Sequence, residues 1–339
     1  MKNILKLNIC FFTSALSLQG TETGKENSVF YKDIMPFFCL FAEKGFFIFI
    51  KDGDSMIGFI GSGRAARGLG LYFSSSGMKI SGYFDKENIK SKEAANLTGT
   101  IAFESLNEII ESSKIIFIST GDDFIQEAGK ELKNILGERK RIIAHLSGLH
   151  DSKMLKAIFQ ENPCCSLHPV HSFSGEKDDT DALAKVVFTL EGDEEAVIAI
   201  LEKFELLENK IVRINSEDKV LYHGACVFAS NYITTLIYKS MKIFNDIGIS
   251  DKEAKQMFEP LVKGAIDNAF LKGPEKSLTG PVARGDSNTV LKHLNDFKKY
   301  DEETARMYKI IARETLELAS KELLRDTIKI NEIKLLLKD

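Results

Sequence analysis

Three features are scarce in this sequence: proline, cysteine and an excess of positive charge. Six prolines in 339 residues leave few helix breakers, so we expect long regular elements. Five cysteines, an odd number that includes the neighbours Cys164 and Cys165, exclude a disulfide scaffold and indicate thiols in a reducing compartment. Lysine and arginine total 45 against 49 aspartate and glutamate residues, which gives a formal net charge of −4. Because a nucleic-acid partner requires a surplus of positive charge, the composition argues against one.

A hydrophobic run of the kind that crosses a membrane is also missing. The longest uncharged stretch, residues 220–238, contains histidine, serine, asparagine and threonine side chains. These groups are costly in lipid. We therefore predict no membrane partner and interpret the stretch as a helix buried within protein.

The remaining composition is typical of a globular protein. Hydrophobic residues make up 44% of the chain and charged residues 28%. The length predicts two domains, at roughly 150 residues per domain. A cytoplasmic location is expected from the cysteine usage and from the cofactor chemistry described below.

Residues 1–54 differ from the rest and are predicted to be an N-terminal extension without an assignable fold. They hold 9 of the 24 phenylalanines and show neither a period of 2 nor one of 3.6. The start imitates a secretory signal, with Lys2 and Lys6 before an apolar stretch and a small-residue site at 15–17. We favour the extension, with the folded protein beginning near Met56, over an exported binding protein.

A strand–helix–strand unit follows this extension. Residues 56–60 form a short apolar run, a helical pattern continues to Gly77, and residues 79–85 predict a second strand. The turn between the first strand and the helix has the pattern G-x-G-x-x-A. Its glycines allow a tight turn and a close backbone approach to a diphosphate at the helix N-terminus. The same pattern also occurs in plain tight turns, but this context favours a dinucleotide. The predicted cofactor-binding residues are Gly61, Ser62, Gly63, Arg64, Ala65, Ala66, Asp85, Lys86, Thr120 and Gly121.

The second strand of this unit leaves the choice between NAD and NADP open. Asp85 ends the strand where a carboxylate would accept hydrogen bonds from the adenosine ribose, which favours NAD. Lys86, Lys90 and Lys92 follow, and they would suit a 2′-phosphate.

Strands and helices continue to alternate as far as residue 215. Further strands are predicted at 114–120, 141–147, 164–167, 185–190 and 211–214. Continuous apolar strands separated by helices predict a doubly wound parallel Rossmann sheet over residues 55–215. Because ligands of such sheets bind beyond the carboxyl ends of the strands, Gly121, Ser147 and His168 are expected in one crevice.

From residue 216 the periodicity becomes helical. We predict an all-helical substrate and dimerisation domain over 216–325 and a tail helix over 326–339. On the first long helix, predicted over 217–247, a period of 3.6 aligns His223, Ser230 and Thr234, with Asn231 beside them. Such a polar line either faces a cleft or forms an internal hydrogen-bond network. The apolar faces of these helices predict a homodimer.

The most specific segments of the sequence together resemble a known family. They are the glycine turn, the segment 166–169 with Phe173, Tyr222-His223 through Asn231, and the loop 278–286 followed by His293. They resemble Rossmann-like NAD(P)-dependent oxidoreductases with a C-terminal domain of formerly unknown function, similar to the helical domain of 6-phosphogluconate dehydrogenase. Some members are alternative ketopantoate reductases that form pantoate for coenzyme A. Relatives include pyrroline-5-carboxylate reductases and β-hydroxyacid dehydrogenases.

The resemblance implies reduction of a small 2-keto acid, with imine reduction as the alternative. Related reductases often use a lysine on the first long helix, a place that His223 is expected to take here. We predict that His223 or His168 donates the proton and that Asn231 and Ser147 orient the carbonyl. The predicted substrate-binding residues, including an arginine fork for the carboxylate, are Arg284, Asp286, Ser230 and Thr279.

Two other interpretations of the sequence stay open. Cys164, Cys165, His168 and His171 invite a zinc site, but adjacent cysteines on a strand point to opposite faces, so we predict no metal. A regulator that binds NAD(P) without turnover is the alternative to an enzyme.

Overall fold

The protein is described by a computed structural model over residues 39–42, 45–48, 56–173 and 179–338. The predicted signal-like start lies outside the described residues. Within the predicted extension, β1 (Cys39–Ala42) and β2 (Gly45–Ile48) pair as an antiparallel hairpin.

Eight further strands form one sheet in the order β10-β9-β8-β7-β6-β3-β4-β5. The strands are β3 Ile57–Ile60, β4 Ile80–Phe84, β5 Ile101–Ala102, β6 Ile115–Ile118, β7 Ile142–His145, β8 Cys164–Pro169, β9 Phe188–Gly192 and β10 Ile211–Arg213. The helices around them are α1 Arg64–Ser75, α2 Asn88–Thr98, α3 Leu106–Ser112, α4 Ile125–Leu136, α5 Lys153–Phe159, α6 Asp179–Leu183 and α7 Glu194–Phe204.

Alternation along the buried strands produces a core on each face of the sheet. Phe59 and Phe117 belong to one cluster of buried side chains, whereas Ile60, Ile116 and Ile118 belong to the other. The Phe59 ring stacks on Phe117 with centroids 5.6 Å apart. Because successive side chains point to opposite faces, strands that are apolar throughout need helices on both sides.

The predicted doubly wound sheet is confirmed, with one difference in strand direction. β3 to β8 run parallel, but β9 pairs antiparallel with β8, and β10 is parallel to β9. An apolar run does not encode its own direction, so residues 185–214 extend the sheet as predicted but run the opposite way. The two-residue β5 was not predicted.

Only helices follow β10. They are α8 Lys219–Ala229, α9 Asn231–Asp246, α10 Asp251–Lys272, α11 Pro274–Ser277, α12 Pro281–Arg284, α13 Ser287–Tyr300, α14 Glu302–Glu322 and α15 Thr327–Leu336. The chain forms two compact units, Met1–Asn231 and Tyr232–Asp339. The second unit has its own core, in which α12, α13, α14 and α15 contribute buried residues such as Val290 and Leu316.

The long helix predicted over 217–247 is interrupted. Ser230 has φ −131° and ψ −67°, outside helical geometry, and it separates α8 from α9. The predicted polar line of His223, Ser230 and Thr234 required one continuous helix, so that prediction is wrong. The prediction that this stretch is buried is also wrong, because α9 has no buried residue.

One helical stretch of the described chain, Ser216–Asp246, is long and apolar enough to cross a membrane by length and composition alone. Its mean hydropathy is 1.2 and its apolar window is 0% buried. A single such helix is weak evidence for a membrane span.

Candidate active site

The turn after β3 has the geometry that its glycines predict. Gly61 has φ +93°, and a Cβ there would lie 2.9 Å from the Thr120 nitrogen, so a side chain would collide with the neighbouring backbone. A Cβ built on Gly63 would meet no atom of the described residues within 4 Å. Gly63 is the N-cap of α1, and no described side chain caps its amides. The helix therefore presents free N–H groups to the space in front of Gly63.

That space belongs to a cleft of about 620 Å³, which we call the glycine-turn cleft. Its lining residues come from the ends of β3, β4 and β6, the start of α1, and α2, α3 and α4. They are Ile60, Gly61, Ser62, Gly63, Arg64, Arg67, Phe84, Asp85, Lys86, Glu87, Lys90, Glu93, Leu106, Ser119, Thr120, Gly121, Phe124, Glu127, Ala128 and Glu131.

Two buried hydroxyls in this lining suit a polar ligand. The Oγ of Ser62 and the Oγ1 of Thr120 are inaccessible to solvent and have no hydrogen-bond partner among the described residues. Buried polar groups are normally satisfied, so such hydroxyls indicate a missing partner. On the apolar side of the cleft, the Phe124 side chain is 60% exposed. The lining therefore fits a dinucleotide, with free amides and hydroxyls for phosphate and an exposed ring for a base.

Asp85 is held firmly at the end of β4. Its Oδ2 accepts a hydrogen bond from the Ser62 N–H at 2.8 Å, and its Oδ1 accepts one from the Glu87 N–H at 2.9 Å. These bonds tie the carboxylate to the glycine turn, and each oxygen keeps one lone pair for a ligand hydroxyl.

A second group of polar side chains lies at the ends of β7 and β8, and we call it the lysine cluster: Lys219, Ser147, Ser166, His168 and His223. Lys219, the first residue of α8, is 1% exposed. Its Nζ donates to the Ser147 carbonyl at 2.7 Å and to the Ser166 Oγ at 2.5 Å. Burial lowers the pKa of Lys219 from 10.5 to about 8.

A buried carboxylate, Glu191, acts electrostatically on the pKa of this lysine. Glu191 is 4% exposed and accepts hydrogen bonds from the Ser152 N–H at 2.7 Å, the Ser152 hydroxyl at 2.8 Å and the Ser216 hydroxyl at 2.7 Å. Its charge favours the protonated form of Lys219 and so opposes the larger effect of burial on the lysine pKa.

The two predicted histidines are neighbours in the structure. A Cβ on Gly148 would lie 2.8 Å from the His168 Nε2 and 2.9 Å from the His223 Cδ2, so only a glycine fits between them and the backbone. Nδ1 of His168 is hydrogen-bonded to the Tyr222 hydroxyl at 2.6 Å. Burial, with Lys219 and His223 nearby, lowers the pKa of His168 to about 4, so its imidazole is neutral at pH 7.

Ser147 takes part through its carbonyl, which accepts from Lys219, and through its hydroxyl. Its hydroxyl oxygen accepts hydrogen bonds from the N–H groups of Leu149 at 3.1 Å and His150 at 3.0 Å. Both lone pairs are therefore used, and the O–H remains as a donor for a ligand.

The other predicted site residues lie elsewhere. Ser230 and Asn231 are exposed at the end of α8, where the Ser230 hydroxyl donates to the Asn231 Oδ1 at 2.8 Å. In the second unit, Thr279 and Arg284 are exposed, and Arg284 makes no ion pair with any described residue. Asp286, two residues after Arg284, is not hydrogen-bonded to it. Asp286 instead caps α13 by accepting from the Thr289 N–H and hydroxyl at 3.1 and 2.7 Å.

Lys219 is the site residue that sequence analysis missed. The expectation that His223 takes the place of a lysine on this helix stays a prediction, and the same helix carries a lysine one turn earlier. Residues four apart share a helix face, so the spacing of Lys219 and His223 was the available signal.

The described residues contain no group of three or more His, Cys, Asp or Glu side chains arranged to hold a metal ion. Burial raises the pKa of Cys164 to about 12 and also raises that of Cys165. Both side chains are therefore neutral thiols rather than thiolate ligands.

Residues 186–315 match a family model described as "Domain of unknown function (DUF2520)". The match begins just before β9 and ends within α14, which covers less than half of the chain. It agrees with the predicted resemblance in its coarser form, a C-terminal domain of unknown function next to a Rossmann sheet. No curated protein matches the chain.

Several solved structures share the fold. Protein TM1727 from Thermotoga maritima is 28% identical, with a TM-score of 0.62 over 78% of this chain and 98% of that one. An imine reductase from Myxococcus stipitatus in complex with NADP+ is 15% identical, with a TM-score of 0.56 over 84% and 100% of the two chains. Pyrroline carboxylate reductase from Plasmodium falciparum with NADP bound is also 15% identical, with a TM-score of 0.50 over 79% and 99%. At these identities, the last two show a common fold.

Proposed function

We propose that this protein is an NAD(P)H-dependent reductase of a C=O or C=N bond in a small carboxylate substrate. The observation that carries the proposal is the order of two sites along one sheet edge of the first unit. The glycine-turn cleft lies at the ends of β4, β3 and β6, and the lysine cluster lies at the ends of the next strands, β7 and β8. Ligands of parallel sheets bind at this edge.

The coenzyme would be held by the glycine-turn cleft. The free amides at the start of α1 and the hydroxyls of Ser62 and Thr120 would bind the diphosphate, and Asp85 would accept from the adenosine ribose. When bound, the reduced nicotinamide supplies a hydride. The likeness to reductases that bind NADP supports this assignment.

The proton would come from the lysine cluster. An efficient general acid has a pKa near the working pH. The pKa of Lys219 is lowered to about 8, whereas that of His168 is lowered to about 4, so Lys219 is the better-matched donor. His168, His223 and the Ser147 hydroxyl would orient the reacting bond. This proposal replaces a histidine donor by Lys219 and makes His223 the alternative.

Reduction of a 2-keto acid of the ketopantoate type, which would yield pantoate for coenzyme A, remains the proposed substrate chemistry. In the second unit, the planar guanidinium of Arg284 is exposed and makes no ion pair among the described residues, so it has the chemistry that binds a carboxylate. The second candidate is imine reduction, which the structural likeness to imine and pyrroline carboxylate reductases favours.

We also propose that the protein is a cytoplasmic homodimer. On α10 of the second unit, Leu261, Phe270 and Leu271 are 67%, 89% and 81% exposed, more apolar surface than one helix of a monomer usually presents. Sedimentation analysis tests this proposal. A monomer at micromolar concentration would contradict it.

The enzyme proposal is tested by following NADH and NADPH oxidation with ketopantoate, related 2-keto acids and pyrroline-5-carboxylate. Turnover that depends on one substrate class supports the proposal and identifies the class. Tight coenzyme binding with no oxidation against any keto acid or imine would contradict it and favour an NAD(P)-binding regulator.

A further inference from the structure

The glycine-turn cleft is crowded with charged side chains of both signs. Its cations are Arg64, Arg67, Lys86 and Lys90, and its anions are Asp85, Glu87, Glu93, Glu127 and Glu131. The anions outnumber the cations by one, although a dinucleotide site must receive the negative charge of a diphosphate. The arrangement of these charges around Asp85 therefore determines how well the cleft binds a ligand that carries a further phosphate.

The lysine directly after Asp85 is already paired with two carboxylates. Nζ of Lys86 donates to the Glu127 Oε1 and the Glu131 Oε1, both at 2.8 Å. Glu127 and Glu131 lie one turn apart on α4. Lys90 is likewise paired, with the Glu87 Oε1 at 2.5 Å. Of the three lysines expected to suit a 2′-phosphate, the two that line the cleft are therefore both engaged by carboxylates.

We propose that Glu127 and Glu131 are specificity residues that make this protein select NAD(H) over NADP(H). The proposal rests on the proposed function, since it presumes that the glycine-turn cleft binds a nicotinamide coenzyme. Asp85 would accept hydrogen bonds from the ribose hydroxyls, and the glutamate pair would oppose a phosphate at the same position.

The preference for NAD(H) follows from the net charge of Lys86, Glu127 and Glu131, and not from the strength of the ion pairs between them. Exposed ion pairs are weak, so Lys86 could swing towards a phosphate at little cost. Two carboxylates would then remain unpaired in the cleft, and the group of Lys86, Glu127 and Glu131 would still have a net charge of −1. A 2′-phosphate brings about two negative charges beside that group and beside Asp85. A ribose hydroxyl brings none.

The test compares the dissociation constants of NADH and NADPH, measured by coenzyme fluorescence without any substrate. The wild-type protein should bind NADH at least about tenfold more tightly than NADPH. In the double variant Glu127→Gln/Glu131→Gln, Lys86 keeps amide partners of the same size but the two negative charges are gone. The NADPH dissociation constant should fall about tenfold, while the NADH constant changes less than about twofold.

Glu111→Gln provides the matched control. Glu111 is an exposed glutamate on α3, paired with Arg139 at 3.1 Å, and it does not line the cleft. Its substitution should leave both constants unchanged, and melting curves of all variants verify folding. Equal or tighter NADPH binding by the wild-type protein, or a double variant with an unchanged ratio, would overturn the selection by Glu127 and Glu131 and leave the reductase proposal standing. If neither coenzyme binds, both proposals fail.

Discussion

The glycine-turn cleft and the lysine cluster lie on the same sheet edge, but the charged side chains of the cleft are exposed to solvent and the lysine of the cluster is buried. In the cleft, ion pairs such as that of Lys86 with Glu127 are solvent-exposed, with side chains 63% and 59% accessible. In the cluster, Lys219 is 1% exposed and is satisfied by a carbonyl and a hydroxyl. Water screens the charged side chains of the cleft, so they act on a ligand mainly through their net charge. In the cluster, burial lowers the pKa values of Lys219 and His168. The first arrangement suits recognition of a charged ligand, and the second suits proton transfer.

The strongest test of this contrast removes the buried charge. Lys219→Met should lower kcat at least about a hundredfold, because the proton donor is lost, while coenzyme affinity in the cleft is unchanged. Steady-state kinetics and fluorescence titration measure the two quantities. Lys153→Met removes an exposed lysine paired with Glu217 and should change neither. A larger loss of kcat in His223→Ala than in Lys219→Met would assign the proton to His223.

The cleft is tested by filling the space in front of its helix. Gly63→Val should weaken coenzyme binding about thirtyfold, because the new side chain occupies the place of the phosphate. The melting temperature of the free protein should stay the same, since Gly63 has extended φ and ψ of −67° and −178° and open space around its Cβ. Gly61→Ala, at φ +93°, should by contrast lower the melting temperature of the free protein. Unchanged affinity in Gly63→Val would exclude phosphate binding at this turn.

The third and smallest expected effect is a pH dependence of activity and stability that arises from Lys219 in the cluster and not from the cleft. Above pH 8, kcat/KM should fall about tenfold per pH unit, because Lys219 loses its proton near its lowered pKa of about 8.

The lowered pKa of Lys219 also predicts a change of stability with pH. This pKa is below the ordinary value of 10.5, so between these values the unfolded chain binds more protons than the folded one. The free energy of unfolding should therefore rise by about 2 kcal/mol between pH 7.5 and 9.5, relative to Lys219→Met. Urea unfolding at the two pH values measures this difference. Parallel pH profiles for both proteins would contradict the lowered pKa.

The cleft was predictable because its signal is local. The strand, the turn around Gly61 and the acid at Asp85 lie within one strand–helix–strand unit, and chain geometry alone brings them together. The pairing of Lys86 with α4 was not predictable, because it joins residues 41 and 45 positions apart.

The lysine cluster was only partly predictable. The rule for strand ends predicted Gly121, Ser147 and His168 in one crevice. Ser147 and His168 belong to the lysine cluster, whereas Gly121 lines the glycine-turn cleft. The partners of Lys219 lie 72 and 53 positions away, and no periodicity reports such contacts. The break at Ser230 was missed for a similar reason, since residues 217–247 are helical in pattern throughout. Arg284 and Asp286 were chosen from one loop, but the loop folds into α12 and the N-cap of α13, which gives the aspartate a structural partner.

The reversed direction of β9 has a practical consequence for dissecting the molecule. In this antiparallel register, Glu191 lies opposite Ser166, which accepts a hydrogen bond from Lys219. The carboxylate on β9 is therefore near enough to Lys219 to influence its pKa. A truncation at residue 215, just beyond the last strand, would remove α8 with Lys219 and also Ser216, which donates a hydrogen bond to Glu191. A fragment that ends at Asn231, the last residue of the first compact unit, keeps Glu191 and Lys219 in one piece together with the glycine-turn cleft.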